Sequence, residues 1–241
     1  MCGAAGLCLA PTMTKVELHH ADTAHSAATH DRILDAAERL FAEHGVAGTS
    51  VRAITDQAQV NVAAVNYHFG SKENLVRAVI ARRLSGLETA RAEALDKVEA
   101  AAAREGRAPS MQDLVESMIA PVFAQALSQE EGWAHFIRFI SRLAWEPGVE
   151  DLAPPESSVR LFERFDAALR RTLPALGAED AKRHWRLAFM RGATQHTLLM
   201  ITAVRSGHVP KGMPLAEAAA NADLDTIRHE LIAFVAAGLS A

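Results

Sequence analysis

Residues 49–72 read TSVRAITDQAQVNVAAVNYHFGSK, two short helical patterns around a tight turn. The first has candidate N-caps in Thr49 and Ser50 and an apolar face at Val51, Ile54 and Ala58, the spacing of one side of a helix. Gln59, Val60 and Asn61 form the turn. The second pattern, Val62 to His68, begins with the small residues Val62, Ala63, Ala64 and Val65 and only then carries Asn66, Tyr67 and His68. Its backbone can approach another molecule closely before larger polar side chains appear, as in a helix that enters a DNA groove.

The flanks agree. Upstream, Ile33, Leu34, Ala37, Leu40 and Phe41 share one helical face, begun near His30 or Asp31 and stopped at Gly45. Downstream, Gly70 suits a left-handed turn, and Ser71 suits the cap of a further helix from about Lys72 that carries Leu75, Val79, Leu84 and Leu87 toward Ala103. Ile33 through Phe41, Glu43-His44-Gly45, Thr49-Ser50-Val51-Arg52, Tyr67-His68-Phe69 and Ser71-Lys72-Glu73-Asn74-Leu75 together resemble the TetR family of bacterial repressors. Val60 to Gly70 resembles most the PsrA-type, fatty-acid-responsive branch. The resemblance implies an all-α protein, a three-helix helix-turn-helix head joined by a long helix to a helical-bundle body that dimerises and binds a ligand. The expected division is a disordered N-terminal tail over 1–29, a DNA-binding domain over 30–76, and an effector-binding and dimerisation domain over 77–241.

With Val62 to His68 in a major groove, the residues divide by chemistry. Val62 and Ala63 suit thymine methyls, and Asn66 suits either bidentate adenine reading or backbone contact. Tyr67, His68 and Lys72 suit phosphate, while Ser50 and Arg52 open the preceding helix, Arg52 in reach of a guanine edge or the backbone. Val65, Ile54 and Phe69 are read as core. Small residues at Ala63 and Ala64 leave few base hydrogen bonds, so DNA shape and the spacing of two heads on a near-palindromic, double-stranded operator must supply specificity.

The bulk composition is compatible. The chain has 241 residues, of which 49% are hydrophobic and only 5% aromatic, enough to bury a core and biased toward helix. The net charge of -4 disfavours nucleic acid until it is located: between Ser50 and Arg83 the cations Arg52, Lys72, Arg77, Arg82 and Arg83 outnumber Asp56 and Glu73, a local +3. Cys2 and Cys8 are the only cysteines, so no disulfide framework or CxxC metal site is expected. The first residues lack a basic leader region and a membrane-length apolar run, so the reading is a cytoplasmic protein with a solvated tail, its start at Met1 or Met13. His19, His20, His25 and His30 in that tail have no metal-ligand spacing, and neither metal nor cofactor is expected.

Arg104 to Pro109 reads as a linker and Ser110 as a cap, followed by a helix that Pro121 should kink or divide. Helices follow over Glu131 to Trp145, closed by Pro147-Gly148, and over Glu156 to Leu173. The last two carry the most regular rows. Trp185, Phe189, Gly192, His196, Leu199 and Ala203 recur at steps of four, three, four, three and four, and Leu224, Ile227, Leu231, Phe234 and Gly238 at three, four, three and four. Both are packing seams. In the resembled family the final long helices of two subunits form a four-helix interface, which makes these rows the expected homodimer contact.

Aromatic residues concentrate between residues 120 and 190, and the candidate lining of an effector site is Phe123, Phe136, Phe139, Phe162, Phe165, Trp185 and Phe189. Trp133 and Trp145 belong to the same cluster. Arg138 and Arg142 share a helix face with His135 and are the candidate partners of an acidic head group; Gln195, His196 and Met200 are further candidates. The expected effector is a hydrophobic small molecule such as a fatty acid or acyl-CoA, with another lipophilic or aromatic compound as the alternative. No G-x-S-x-G, P-loop, H-E-x-x-H or Rossmann glycine pattern is present, so the reading is a regulator and not an enzyme. A helical scaffold for a partner protein is the rival, disfavoured by the basic strip.

Overall fold

α1 (Lys15–His44) ends where Gly45 takes a φ of 75°, a left-handed turn that closes the helix. The same glycine admits a neighbour, since a Cβ at Gly45 would collide with the Glu146 carboxylate. The computed structural model describes residues 15–128, 131–143, 146, 152–174, 180–207, 217 and 223–241. Among these, every regular element is an α-helix. α1 begins well before the His30 start that its apolar row implies, so helix replaces the expected tail from Lys15 onward. The remainder of that tail, with Cys2, Cys8 and Met13, lies outside the described residues, as do the side chains of His19 and His20.

α2 (Val51–Ala58) and α3 (Val62–Phe69) form the helix-turn-helix. Ser50 caps α2, its Oγ accepting the Ala53 N–H at 3.0 Å. Thr49, the other candidate cap, is instead buried and donates its hydroxyl to Gly45 O at 2.7 Å and Leu40 O at 3.2 Å. The turn needs Gln59 at a φ of 54°, and Asn61 caps α3 by accepting the Ala64 N–H at 2.8 Å. Ile33, Leu34, Ala37 and Phe41 of α1 close a core with Ile54 and Ala58 of α2 and with Val65 and Phe69 of α3.

α4 (Lys72–Arg104) is capped by Ser71, and its first turns seal that core with Leu75, Val76 and Val79. The rest of α4 belongs to the body, which adds α5 (Met111–Leu127), α6 (Glu131–Leu143), α7 (Glu156–Thr172), α8 (Asp180–Arg205) and α9 (Leu224–Ser240). α5 is one helix through Pro121, not two. Proline removes the bond to the Ser117 carbonyl, but Val115, Met118, Ile119, Val122 and Phe123 are buried around it, and that packing outweighs one missing bond. The closing segment expected at Trp145 and Pro147-Gly148 lies outside the described residues.

Head and body are joined through α6 as well as through α4. Arg142 of α6 donates to Glu43 O at 3.0 Å, and Glu146 Oε2 accepts the Ala47 N–H at 3.3 Å. On the other side Arg83 Nε donates to Glu38 Oε1 at 2.9 Å, Arg82 Nη1 to Asp35 Oδ1 at 2.7 Å, and Arg82 Nη2 also pairs with Glu38. Glu38 is buried, so these bonds hold a desolvated carboxylate at the hinge. The basic strip read from the sequence is correspondingly narrower: Arg82 and Arg83 serve the head–body joint.

Candidate functional site

α3 presents its outer face to solvent. Val62, Ala63, Asn66 and Tyr67 are exposed, Tyr67 at 82%, while Val65 and Phe69 point into the core. Ser50 and Arg52 at the capped start of α2 are exposed as well, and Lys72 follows the Gly70 turn at the start of α4. A ring so exposed packs little on its own subunit; Tyr67 meets the edge of His68, with ring centroids 5.1 Å apart.

His68 is less open. Its ring meets His30 of α1 edge-on at 5.7 Å, and His30 in turn stacks on Phe69 at 4.9 Å. Partial burial first and the neighbouring His30 second hold the His68 pKa below its ordinary 6.5. At neutral pH it is therefore an uncharged donor or acceptor. The extended start of α1 reaches this face as well, since His25, Ser26, Thr29 and Arg32 share a surface hollow with Asn61, Ala64, Tyr67 and His68. Sequence periodicity missed these α1 residues because the segment has no apolar row; its alanines were the one sign of helix.

The body holds a cavity of about 410 Å³ enclosed by α4, α5, α6 and α8. Leu84 and Leu87 of α4, Ile119 and Val122 of α5, and Trp133, Phe136, Ile137 and Ile140 of α6 make most of its wall. Leu187, Met190 and Leu198 of α8 close it, and the exposed residues Phe162, His184 and Arg191 mark its open side. Arg91, Thr194 and Gln195 add polar groups.

The sequence-derived lining is thus only partly present here. Phe136 and Phe162 border the cavity; Phe123, Phe139 and Phe165 are wholly buried and do not line it. Arg138 and Arg142 lie on a separate hollow against Glu43 and His44, where Arg142 is committed to the Glu43 carbonyl. Trp185 and Phe189 point outward, 66% and 65% exposed, their rings 6.0 Å apart. Among the further candidates, Gln195 lines the cavity and His196 is exposed. Leu84 and Leu87 of α4 were read only as that helix's apolar row, and Arg91 was missed because it sits in an Ala- and Glu-rich run that reads as solvated helix.

The two seams divide in the same way. Gly192 and His196 are exposed with Trp185 and Phe189, whereas Leu199 and Ala203 are half-buried toward α1 and α6. On α9, Leu224 and Ile227 are half-buried and Leu231 is buried, but Phe234 is 71% exposed. Arg186 donates to Leu239 O at 2.7 Å, which sets the early part of α8 beside the late part of α9. No described helix is long and apolar enough to cross a membrane. Among the described residues there is no group of three or more metal-ligating side chains.

Known proteins align with both parts. Residues 33–79 match the family model described as bacterial regulatory proteins, tetR family, and residues 116–238 match one described as tetracyclin repressor-like, C-terminal domain. An HTH-type transcriptional repressor of Mycobacterium tuberculosis is 45% identical over 78 residues, covering 31% of this chain and 41% of that protein. The probable HTH-type transcriptional regulator YttP of Bacillus subtilis is 41% identical over 66 residues, covering 26% of this chain and 32% of its own length. The similarity thus spans less than half of either relative. A crystal structure described as a tetR family transcription regulator from Shewanella sp. PV-4 shares the fold at a TM-score of 0.51 and 17% identity, over 85% of this chain and 95% of the other.

Proposed function

The chain belongs to the tetR family of bacterial regulatory proteins, and from that premise we propose that it is a homodimeric repressor released from a near-palindromic operator by a hydrophobic small molecule, such as a fatty acid or acyl-CoA. The observation that carries this reading is the course of α4. One unbroken helix starts at Lys72, beside the exposed face of α3, and lines the cavity with Leu84, Leu87 and Arg91.

A molecule in the cavity therefore bears directly on the helix that carries the head. A second route runs through Trp133, which lines the cavity while Arg83 lies over its ring at 5.6 Å, and Arg83 holds the buried Glu38 of α1. Gly132 makes room for that arrangement, since a Cβ there would collide with the Arg83 guanidinium. A ligand that prefers the arrangement with the heads misplaced shifts the population away from the DNA-competent one by its difference in affinity for the two. In this reading Ser50, Arg52, Val62, Ala63, Asn66, Tyr67, His68 and Lys72 face the operator, and the outward residues of α8 and α9 face the second subunit.

The test is a gel-shift selection on genomic fragments from the host. A salt-sensitive, sequence-selective complex that dissociates when a host lipid extract is added supports the reading. Absence of any sequence-selective complex would refute it.

A further inference from the structure

We propose that the cavity takes a carboxylate-bearing amphiphile, with its hydrocarbon part against α5 and α6 and its carboxylate on the guanidinium of Arg91. This deepens the effector half of the proposed function and rests on it. The sequence pointed to Arg138 and Arg142 for that role, but they lie outside the cavity.

Arg91 is the half-buried cation of the cavity wall. Burial first, offset by Glu88, brings its pKa down to about 10, so it keeps its charge at neutral pH in a poorly hydrated place. Its hydrogen bonding is far from complete. Among the described residues its one hydrogen bond is Nε to Met118 O at 2.9 Å, which leaves the two Nη groups of a five-donor fork unused. Glu88, one turn earlier on α4, does not line the cavity and accepts instead from Ser158 of α7. A half-buried arginine on the wall of an apolar cavity, with its Nη groups uncommitted, offers an anion a charged, paired seat there.

The charge available selects the anion. One guanidinium matches one carboxylate in a bidentate pair. A phosphate dianion would bring a second charge with no second half-buried cation beside it among the described residues, since Arg191 and His184 on the open side are exposed and water weakens what they offer. The rest of the wall is aliphatic and aromatic, suited to an alkyl chain.

The test uses decanoate, decan-1-ol and decyl phosphate, below their micellar concentrations, on the full-length protein by titration calorimetry. The expected result is that decanoate binds at least about tenfold more tightly than the alcohol or the phosphate ester. Arg91→Met removes that preference while leaving decan-1-ol unchanged, and Arg91→Lys recovers part of it. Equal binding of decanoate and decan-1-ol to the unaltered protein overturns the assignment, and this comparison needs no variant to fold. So does a preference for the phosphate ester, a failure of all three to bind, or an Arg91→Met variant that keeps the carboxylate preference. Operator retention is followed in the same samples. Absence of a carboxylate preference in the unaltered protein, with operator binding intact, sinks the Arg91 assignment alone. Arg91-dependent decanoate binding that leaves operator retention unchanged sinks the effector reading alone.

Discussion

Phe234→Arg is expected to convert a dimer into monomers without harming the subunit. Phe234 is 71% exposed, which for a phenylalanine of about 200 Å² leaves on the order of 140 Å² uncovered. At roughly 25 cal/mol per Å² its burial against a partner contributes about 3.5 kcal/mol. A twofold interface contains the residue twice, so its loss costs about 7 kcal/mol, an upper bound near 10⁵-fold in Kd. Even half of that, about a 300-fold change, moves a nanomolar dimer into the monomeric range at ordinary assay concentrations. The arginine adds an unpaired charge at the same spot, pushing further in the same direction. Sedimentation velocity across a dilution series reads the result. Helicity and Tm of the dissociated subunit should stay close to those of an alanine variant, because the ring packs little within its own chain. A Phe234→Arg protein that sediments as the same dimer over the same concentrations refutes the assignment of this face.

Three further outcomes follow from particular bonds. Lys72→Ala should flatten the salt dependence of operator binding by about 0.9 in slope for each phosphate it no longer neutralises, whereas His68→Ala at neutral pH should weaken binding and leave the slope alone, because His68 is uncharged there; equal slopes in the two variants, measured by fluorescence anisotropy, contradict this. The same lowered pKa fixes a pH sign: the folded state binds fewer protons than the unfolded chain just below 6.5, so the stability His68 contributes is complete above that pH and declines below it. Chemical denaturation of wild type against His68→Ala should show a difference that is flat above 6.5 and falls on acidification; His25, His30 and Arg32 on the same face are kept unaltered in both proteins. Thr49→Val removes a buried hydroxyl from Gly45 O and Leu40 O, and should cost about 1–3 kcal/mol, visible as a lowered Tm; an unchanged Tm would show those bonds to be worthless.

The head was largely legible because its rules are local. Caps, the turn at Gln59 to Asn61 and the row Ile33, Leu34, Ala37, Phe41 each concern residues within a few positions of one another, and the structure has them as helix ends and core. The start of α1 was not legible, since residues 15–29 lack an apolar stripe and only their alanines favour helix. The cavity was less legible still. Aromatic content says that a region is buried but not which rings border empty space: Phe123, Phe139 and Phe165 fill core, while Leu84, Leu87 and Arg91 border the void. Arg91 in particular reads as a solvated position until α5 is laid against α4 and the Met118 carbonyl meets its Nε.

α8 shows why one periodic row was a sound guide and also an incomplete one. Arg183, Leu187, Met190, Thr194, Leu198 and Ile201 are buried at steps of four, three, four, four and three. They form the inward side, with Arg183 donating to Asp166 at 2.7 Å and Leu187, Met190, Thr194 and Leu198 on the cavity. The row seen in the sequence, Trp185, Phe189, Gly192 and His196, is the opposite side. Spacing alone cannot rank two such rows, because each satisfies the helical repeat. Their chemistry can. The inward row has a buried ion pair and a threonine whose hydroxyl is satisfied by Met190 O at 2.8 Å, a composition that a finished intramolecular core tolerates. The outward row pairs two large aromatics with a glycine whose Cβ position meets nothing within 4 Å, an arrangement that permits close approach by a second helix. A helix apolar on both sides has both sides covered in its working state. Among the described residues its own chain covers only one, and the proposed second subunit is what would supply the other cover on α8 and on Phe234.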